Sequence, residues 1–286
     1  GKEAVYRRLR GEVPFTFYEV SLLSQSLGIS LDQIVGTNRA EGAVFNLNVS
    51  NNMSQMESYH DILKRYHKLF TFAKEDPKSV LSAACNIVPF TFYSPYERLT
   101  KFRLCRWMHQ NNGMKITASM SDIVVTEKIL ESQRKLMQEC RQVPSTYTIL
   151  DNNIFQSLVR EIKYFAGLNM LSDDDIEVMK QELNRLLDEM EQIAARGEYP
   201  NGNKVYLYLS NINFEATYTF LEKGSFQLCM FRLYAINYMD SQHPEVCRAQ
   251  KEWIQSLKRY STLISQSGEI QRMIFFTKQR EIVDTL

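Results

Sequence analysis

The sequence lacks an excess of charge of either sign. Thirty-four lysines and arginines stand against 33 aspartates and glutamates, which leaves a formal net charge of +1. A field from the whole chain therefore cannot be what attracts nucleic acid or an anionic membrane. Any such binding must depend on a local cluster of charges.

Paired cysteines and long apolar runs are also absent. The five cysteines are Cys85, Cys105, Cys140, Cys229 and Cys247. They are widely separated and include no C-x-x-C pair, which argues against a disulfide framework and a zinc site and favours free thiols in a reducing cytoplasm. No apolar run approaches the ~20 residues that cross a bilayer, and no signal-peptide pattern opens the chain. The sequence therefore predicts a cytoplasmic protein with no membrane partner.

Familiar catalytic motifs are missing too. The chain contains no glycine-rich phosphate loop, G-x-S-x-G elbow, H-E-x-x-H or kinase signature. His60 and His67 are seven residues apart and share a predicted helix face, but no carboxylate or cysteine lies near them at ligand spacing. The sequence thus predicts no catalytic residue, metal site or cofactor, and a protein that is not an enzyme. An enzymatic C-terminal domain is a lesser alternative, because catalytic groups can come from distant positions.

What the chain does contain is a series of short helical patterns at its start. Residues 3–10 predict a helix with apolar side chains on one face, and Gly11 is suited to end it. Thr16 is a good N-cap for a second helix that runs to about residue 27. A third short helix is predicted over residues 31–35.

Three short helices in this order, closed by the segment G-I-S-L-D-Q-I-V-G, resemble the second half of the Cro/repressor-type helix-turn-helix family, often called XRE-like. The recognition-helix pattern of that family, s-x-x-x-I-s-r-x-x-x-G, corresponds to Val5 through Gly11. Its downstream pattern, l-a-x-x-L-G-i-s-l-d-x-l-x-g, corresponds to Leu22 through Gly36. The resemblance covers residues 2–36 of the 286.

The resemblance implies a DNA-binding transcriptional regulator that reads two half-sites as a homodimer. The family fold has two helices before its recognition helix, so we expect further residues before Gly1. Exposed side chains of the recognition helix would contact base edges and phosphates. These candidate DNA contacts are Lys2, Glu3, Tyr6, Arg7 and Arg10. The alternative is a solvated basic face that contacts no DNA.

The whole chain predicts a mostly helical α+β fold. Composition and periodicity divide it into a partial helix-turn-helix domain (2–36), a linker (37–55), a mainly helical region (56–197) and an α+β region with an antiparallel sheet (198–286). Helices are predicted at 54–74, 122–142, 152–166, 172–196 and 245–264. Strands are predicted at 43–48, 205–211, 214–221 and 226–234. Residues 270–276 predict a strand or short helix before a charged terminal helix.

Two segments carry patterns with more than one interpretation; 96–110 is predicted as a helix or a strongly basic strand, and 172–196 as a helix. The segment 96–110 alternates basic and aromatic residues, which can bind a nucleic-acid backbone but more often separates a buried face from a solvated one. The helix at 172–196 has a heptad-like apolar seam that is either a dimer interface or part of the monomer core. The seam residues are Ile176, Met179, Leu183, Leu186, Met190 and Ile193.

Together these patterns predict a cytoplasmic DNA-binding transcriptional regulator with a large C-terminal domain for sensing or oligomerisation. Its expected partners are DNA, a second copy of the chain and a small-molecule or protein effector. The aromatic-rich strands between Tyr206 and Tyr238 could line a pocket for an apolar or planar ligand, or could form core. The alternative from another class is a non-enzymatic interaction or scaffold protein whose N-terminal helices do not bind DNA.

Overall fold

The computed structural model describes residues 2–27, 43–48, 55–110, 119–234 and 236–286. The chain divides into two compact units, Gly1–Phe45 and Asn46–Leu286. Helices and a mixed sheet occur together, so the predicted α+β class is confirmed. The four regions predicted from composition stay a prediction.

The smaller unit contains two helices in its described part. Helix α1 spans Lys2–Leu9 and α2 spans Phe17–Leu27, close to the predicted bounds. Thr16 and Glu19 cap α2 reciprocally, because the Thr16 N–H donates to the Glu19 carboxylate at 2.9 Å and the Glu19 N–H donates to the Thr16 hydroxyl at 3.3 Å. The third helix, predicted over 31–35, lies outside the described residues.

The larger unit is built on a mixed sheet with eight strands in the described residues. The strands are β1 (Asn46–Asn48), β2 (Val80–Cys85), β3 (Ser145–Leu150), β4 (Lys204–Ser210), β5 (Tyr218–Lys223), β6 (Phe226–Tyr234), β7 (Asn237–Ser241) and β8 (Ser261–Leu263). Their order across the sheet is β1-β7-β6-β5-β2-β3-β4-β8. The strands predicted at 205–211, 214–221 and 226–234 are present as β4, β5 and β6. Strands β5, β6 and β7 are antiparallel as expected for that region, although β7 was not predicted, whereas β4 pairs in parallel with β3, which in turn pairs in parallel with β2.

Helices cover both faces of this sheet. In the larger unit they are α3 (Gln55–Lys74), α4 (Phe90–Tyr93), α5 (Glu97–Gln110), α6 (Glu127–Arg141), α7 (Gln156–Gly167), α8 (Asp173–Arg196), α9 (Pro244–Arg259) and α10 (Glu269–Asp284). Helix α9 packs on one face through Cys247, Ile254 and Leu257. The other seven contribute to the two apolar clusters on the opposite face. That opposite face is where the cavity described below lies.

Strands β2 and β3 are not among the predicted elements. Both are six residues long and buried between long helices, where a strand loses the alternation that marks a half-exposed strand. The sheet therefore takes strands from both 56–197 and 198–286. The other predicted strands are found within a few residues, and β6 has the predicted bounds.

Two predicted helices and the segment 270–276 need correction. The helix predicted at 122–142 begins at Glu127, because Ser119 and Asp122 close a separate capped 3-10 turn before it. The helix predicted at 245–264 ends at Arg259, and the residues that follow form β8 at the sheet edge. Residues 270–276 are neither a strand nor a separate helix, since α10 is continuous from Glu269 to Asp284.

Candidate functional site

Small side chains in the middle of the sheet leave a cavity beneath the covering helices. Ala83 of β2 pairs with Thr148 of β3 and with Thr219 of β5, so these side chains lie next to one another on one face of the sheet. All three line a cavity of about 130 Å³. One water occupies ~30 Å³ of liquid, so the space exceeds what a single buried water needs.

Most of the surrounding wall is apolar. It comes from α3, α6 and the flanking strands, which lie far apart in the sequence. The apolar lining side chains include Tyr66, Phe70, Leu81, Leu136, Met230 and Ile236. A concave apolar wall with a few polar groups is typical of small-molecule sites.

Arginines supply the positive charge of this region. Arg103 of α5 and Arg232 of β6 line the cavity. Arg232 also lines a second cavity, of about 230 Å³, together with Arg106. The two cavities are therefore neighbours, and the charges of three arginines act on the space around Arg232.

Arg103 is 7% exposed although it carries a charge. Its guanidinium carbon lies 3.8 Å from the centre of the Phe90 ring, and Nη1 donates to the Tyr59 hydroxyl at 3.4 Å. Its Nε has no hydrogen-bond partner in the described structure. No described carboxylate forms an ion pair with Arg103 either, so within the described residues its charge is balanced by the Phe90 and Tyr59 rings and the Tyr59 hydroxyl oxygen.

The other two arginines are in different surroundings. Arg106 forms an ion pair with Glu161 of α7. Burial lowers the pKa of Arg106, and the charge of Arg103 adds to that effect. Burial also lowers the pKa of Arg232 to about 10, with repulsion from Arg103 and Arg106 in the same direction. Guanidinium groups nonetheless stay protonated near neutral pH, so the cluster is cationic.

Neutral polar groups without partners line the same cavity. Asn237 of β7 is 1% exposed, and neither its Oδ1 nor its Nδ2 has a hydrogen-bond partner within the described residues. The hydroxyl of Thr146 on β3 is likewise unpaired, and the residue is 4% exposed. Buried polar atoms normally have partners, so these groups are available to a molecule in the cavity.

The predicted DNA contacts lie on or directly after α1. They are Lys2, Glu3, Tyr6, Arg7 and Arg10, and all five are exposed. Arg7 lies 3.4 Å from Glu12, while Arg10 lies 3.2 Å from Glu3 and 2.7 Å from Glu12. Hydrogen bonds that Arg10 donates to Glu12 and Glu3 raise its pKa. Exposed ion pairs of this kind are weak, so a phosphate group can compete for either arginine.

The seam proposed for dimerisation lies in the interior of the larger unit. Met179, Leu183 and Leu186 are fully or almost fully buried, and α8 packs closely against α10. Met190 and Ile193 belong to the same buried cluster, while Ile176 is partly buried against it. This burial favours core packing, the other interpretation of the seam, because little of its surface remains for a second copy.

Sequence patterns missed the cavity but contained two signals for it. The helix at 96–110 is present as α5, yet Arg103 and Arg106 are on its buried side, whereas its basic residues were expected to be solvated. On β6, Arg232 follows Leu228 and Met230 at intervals of two residues, so its side chain lies on the same face of the strand as these core residues. A charged residue on the core-facing side of a predicted strand could have indicated the site from the sequence. The aromatic strands contribute Tyr238 to the cavity, while Tyr208 and Phe220 pack in the α9 cluster.

No protein-family model matches the chain, and no curated protein matches it. Within the described residues, no group of histidine, cysteine and acidic side chains could hold a metal ion. No described helix has the length and apolar character needed to cross a membrane. The five cysteines are free and buried. The features of the described structure that bear on function are therefore the cavity and α1.

Proposed function

We propose that the chain is a DNA-binding transcriptional regulator whose larger unit binds a small-molecule effector in the cavity at Arg103. The resemblance of residues 2–36 to the Cro/repressor-type family supports the DNA-binding part. The observation that carries the sensing part is the cavity itself, because it is lined by Arg103, Thr146 and Asn237, three buried residues with unpaired polar groups.

The exposed side chains of α1 fit the DNA-binding part. Tyr6 and Arg7 are exposed on one short helix, with Arg10 directly after it. Arginine suits both roles of a recognition helix, since it contacts phosphate and forms bidentate hydrogen bonds with guanine. The capped helix α2 follows in the order that the resemblance implies.

The test is DNA binding by the native protein, including any residues that its gene encodes before Gly1. Fluorescence anisotropy with duplex DNA from its own promoter should show affinity that falls steeply with salt, because each neutralised phosphate releases counterions. Arg7→Ala and Arg10→Ala should each weaken binding about tenfold or more. Arg134→Ala is the matched control, because Arg134 is an exposed, ion-paired arginine on α6.

Exposed apolar side chains on the smaller unit favour a second candidate, a protein-interaction function without DNA binding. Val5 and Leu9 on α1 are 54% and 69% exposed, and Phe17 and Tyr18 on α2 are 81% and 71% exposed. Such a group of apolar side chains marks an interaction surface. Absence of salt-dependent DNA binding, or unchanged affinity in both arginine variants, would favour this candidate over the regulator.

A further inference from the structure

We propose that the cavity at Arg103 binds a small monocarboxylate with an apolar body about the size of one aromatic ring. The carboxylate is held between Arg103 and Arg232, with Asn237 as a further hydrogen-bond donor. This inference rests on the proposed sensing function of the larger unit and adds the chemical class of its effector.

The buried charge of Arg103 indicates that the ligand is an anion. A buried guanidinium does not escape burial by losing its proton, so it needs an anion or several strong acceptors nearby. Arg106 has Glu161 for this purpose, whereas Arg103 has only the Phe90 and Tyr59 rings and the Tyr59 oxygen in the described structure. A ligand anion next to Arg103 would supply the missing counter-charge.

The hydrogen-bond donors around the cavity fit a carboxylate. A carboxylate is planar and accepts paired hydrogen bonds from guanidinium groups, and its remaining lone pairs accept from an amide. Arg103 Nε and Asn237 Nδ2 are buried donors without partners, and Arg232 lines the same space.

The apolar wall of the cavity indicates that the rest of the ligand is apolar. Phe70, Leu81 and Met230 offer apolar surface on the same cavity and no charge. A phosphate ion would leave this wall unused, whereas a carboxylate attached to a ring or a branched chain would cover it.

The size of the cavity sets the upper limit. A cavity of ~150 Å³ in another protein holds benzene, and this one measures about 130 Å³. A single ring or a branched chain of similar bulk is therefore the largest body that fits without movement of the lining side chains. Bicyclic or long-chain acids would require such movement.

The test compares carboxylates with their neutral amides on the full chain. Isothermal titration calorimetry and thermal unfolding are measured with benzoate, 3-methylbutanoate, benzamide and 3-methylbutanamide at constant ionic strength. At least one carboxylate should bind and raise the melting temperature, and its amide should bind at least tenfold more weakly. If both carboxylates fail, or the amides bind equally well, the proposal is overturned. Stabilisation by inorganic phosphate equal to that by the carboxylates would also overturn it.

Variants locate the site. Arg103→Met keeps an unbranched apolar stem but removes the guanidinium and its charge, and it should weaken carboxylate binding at least tenfold. Asn237→Leu should weaken it by a smaller factor. Arg134→Met, an exposed change on α6, should leave binding unaltered. If Arg103→Met does not fold, Arg103→Lys keeps the charge, loses the paired geometry and should still reduce affinity severalfold. Unchanged affinity in folded Arg103 and Asn237 variants would overturn the assignment.

These measurements contain no DNA, so the two proposals can fail separately. Carboxylate binding together with no DNA binding would refute the regulator and leave the ligand class intact. DNA binding together with equal affinity for carboxylate and amide would refute the ligand class and leave the regulator intact.

Discussion

Replacing Thr146 by valine exchanges a buried hydroxyl for a methyl group of similar size. In the described structure this hydroxyl has no hydrogen-bond partner although the residue is 4% exposed. Folding therefore removes it from water without compensation, which destabilises the folded state. A methyl group carries no such penalty, and both side chains are β-branched and suit a strand. We expect Thr146→Val to raise the free energy of unfolding.

The magnitude follows from the cost of an unpaired buried polar group, ~1 to 3 kcal/mol. Taking the lower end, because the hydroxyl faces a cavity and not packed atoms, the expected gain is ~1 kcal/mol. For a unit of this size each kcal/mol moves the melting temperature by ~2 to 4 °C. The variant should therefore melt about 2 to 4 °C above the native protein.

Thr100→Val is the matched control. Thr100 is 1% exposed, like Thr146 in burial, but its hydroxyl donates to the Glu97 carbonyl at 3.0 Å. Loss of that hydrogen bond should cost ~0.5 to 1.5 kcal/mol, so the control should melt below the native protein. Circular dichroism melts and urea titrations of both variants provide the comparison. If Thr146→Val is destabilised as much as Thr100→Val, the Thr146 hydroxyl has a partner in the folded protein and is not available to a ligand.

Two further predictions concern α8. Leu183→Glu places a charge in a fully buried position, so we expect unfolding or aggregation. The control is exposed Gln181→Glu, which loses a hydrogen bond to Glu177 and should cost only ~0.2 to 0.5 kcal/mol. Folded Leu183→Glu monomers by sedimentation and circular dichroism would instead identify the seam as an interface. Burial of Asp175 raises its pKa, but hydrogen bonds from Ser172 and Arg98 outweigh this and hold the pKa below its usual value. The carboxylate therefore stabilises the fold above that usual value, and this stability is lost as the pH falls through the lowered pKa. In Asp175→Asn the free energy of unfolding should therefore fall less steeply as the pH is lowered into the acid range. Exposed Asp174→Asn should change this dependence little.

The elements that the sequence predicts well are those with local signals. The N-terminus of α8 is one, since Ser172 and Asp175 form the expected capping box and Gly197 ends the helix in a left-handed conformation. Strand β6 is another, because its alternation and the turn at Gly224 lie within a few residues. In each case the residues that decide the structure are neighbours in the chain.

The cavity has no such signal. On the side of the sheet, the cavity is lined by Ala83, Thr148 and Thr219. These three small residues belong to strands that become neighbours only in the folded sheet. Two of those strands are buried and were not predicted. Arg103 lines the cavity from α5. Asn237 lines it from β7, which lies on the opposite side of β6 from β5, β2 and β3. No spacing in the sequence relates these positions, so only the pairing order of the strands brings them together.

The direction of the stability change separates a binding site from a packing defect. Arg103 and Asn237 belong to separate elements, yet both line one cavity and each has a buried donor without a partner in the described structure. In a packing defect, Asn237→Leu would gain stability and nothing would be lost. In a ligand site, the same change removes a donor that the carboxylate uses, so the variant should be more stable without ligand and should gain less from benzoate. Because opposite signs are expected for the two measurements on one variant, a general effect on folding cannot produce both.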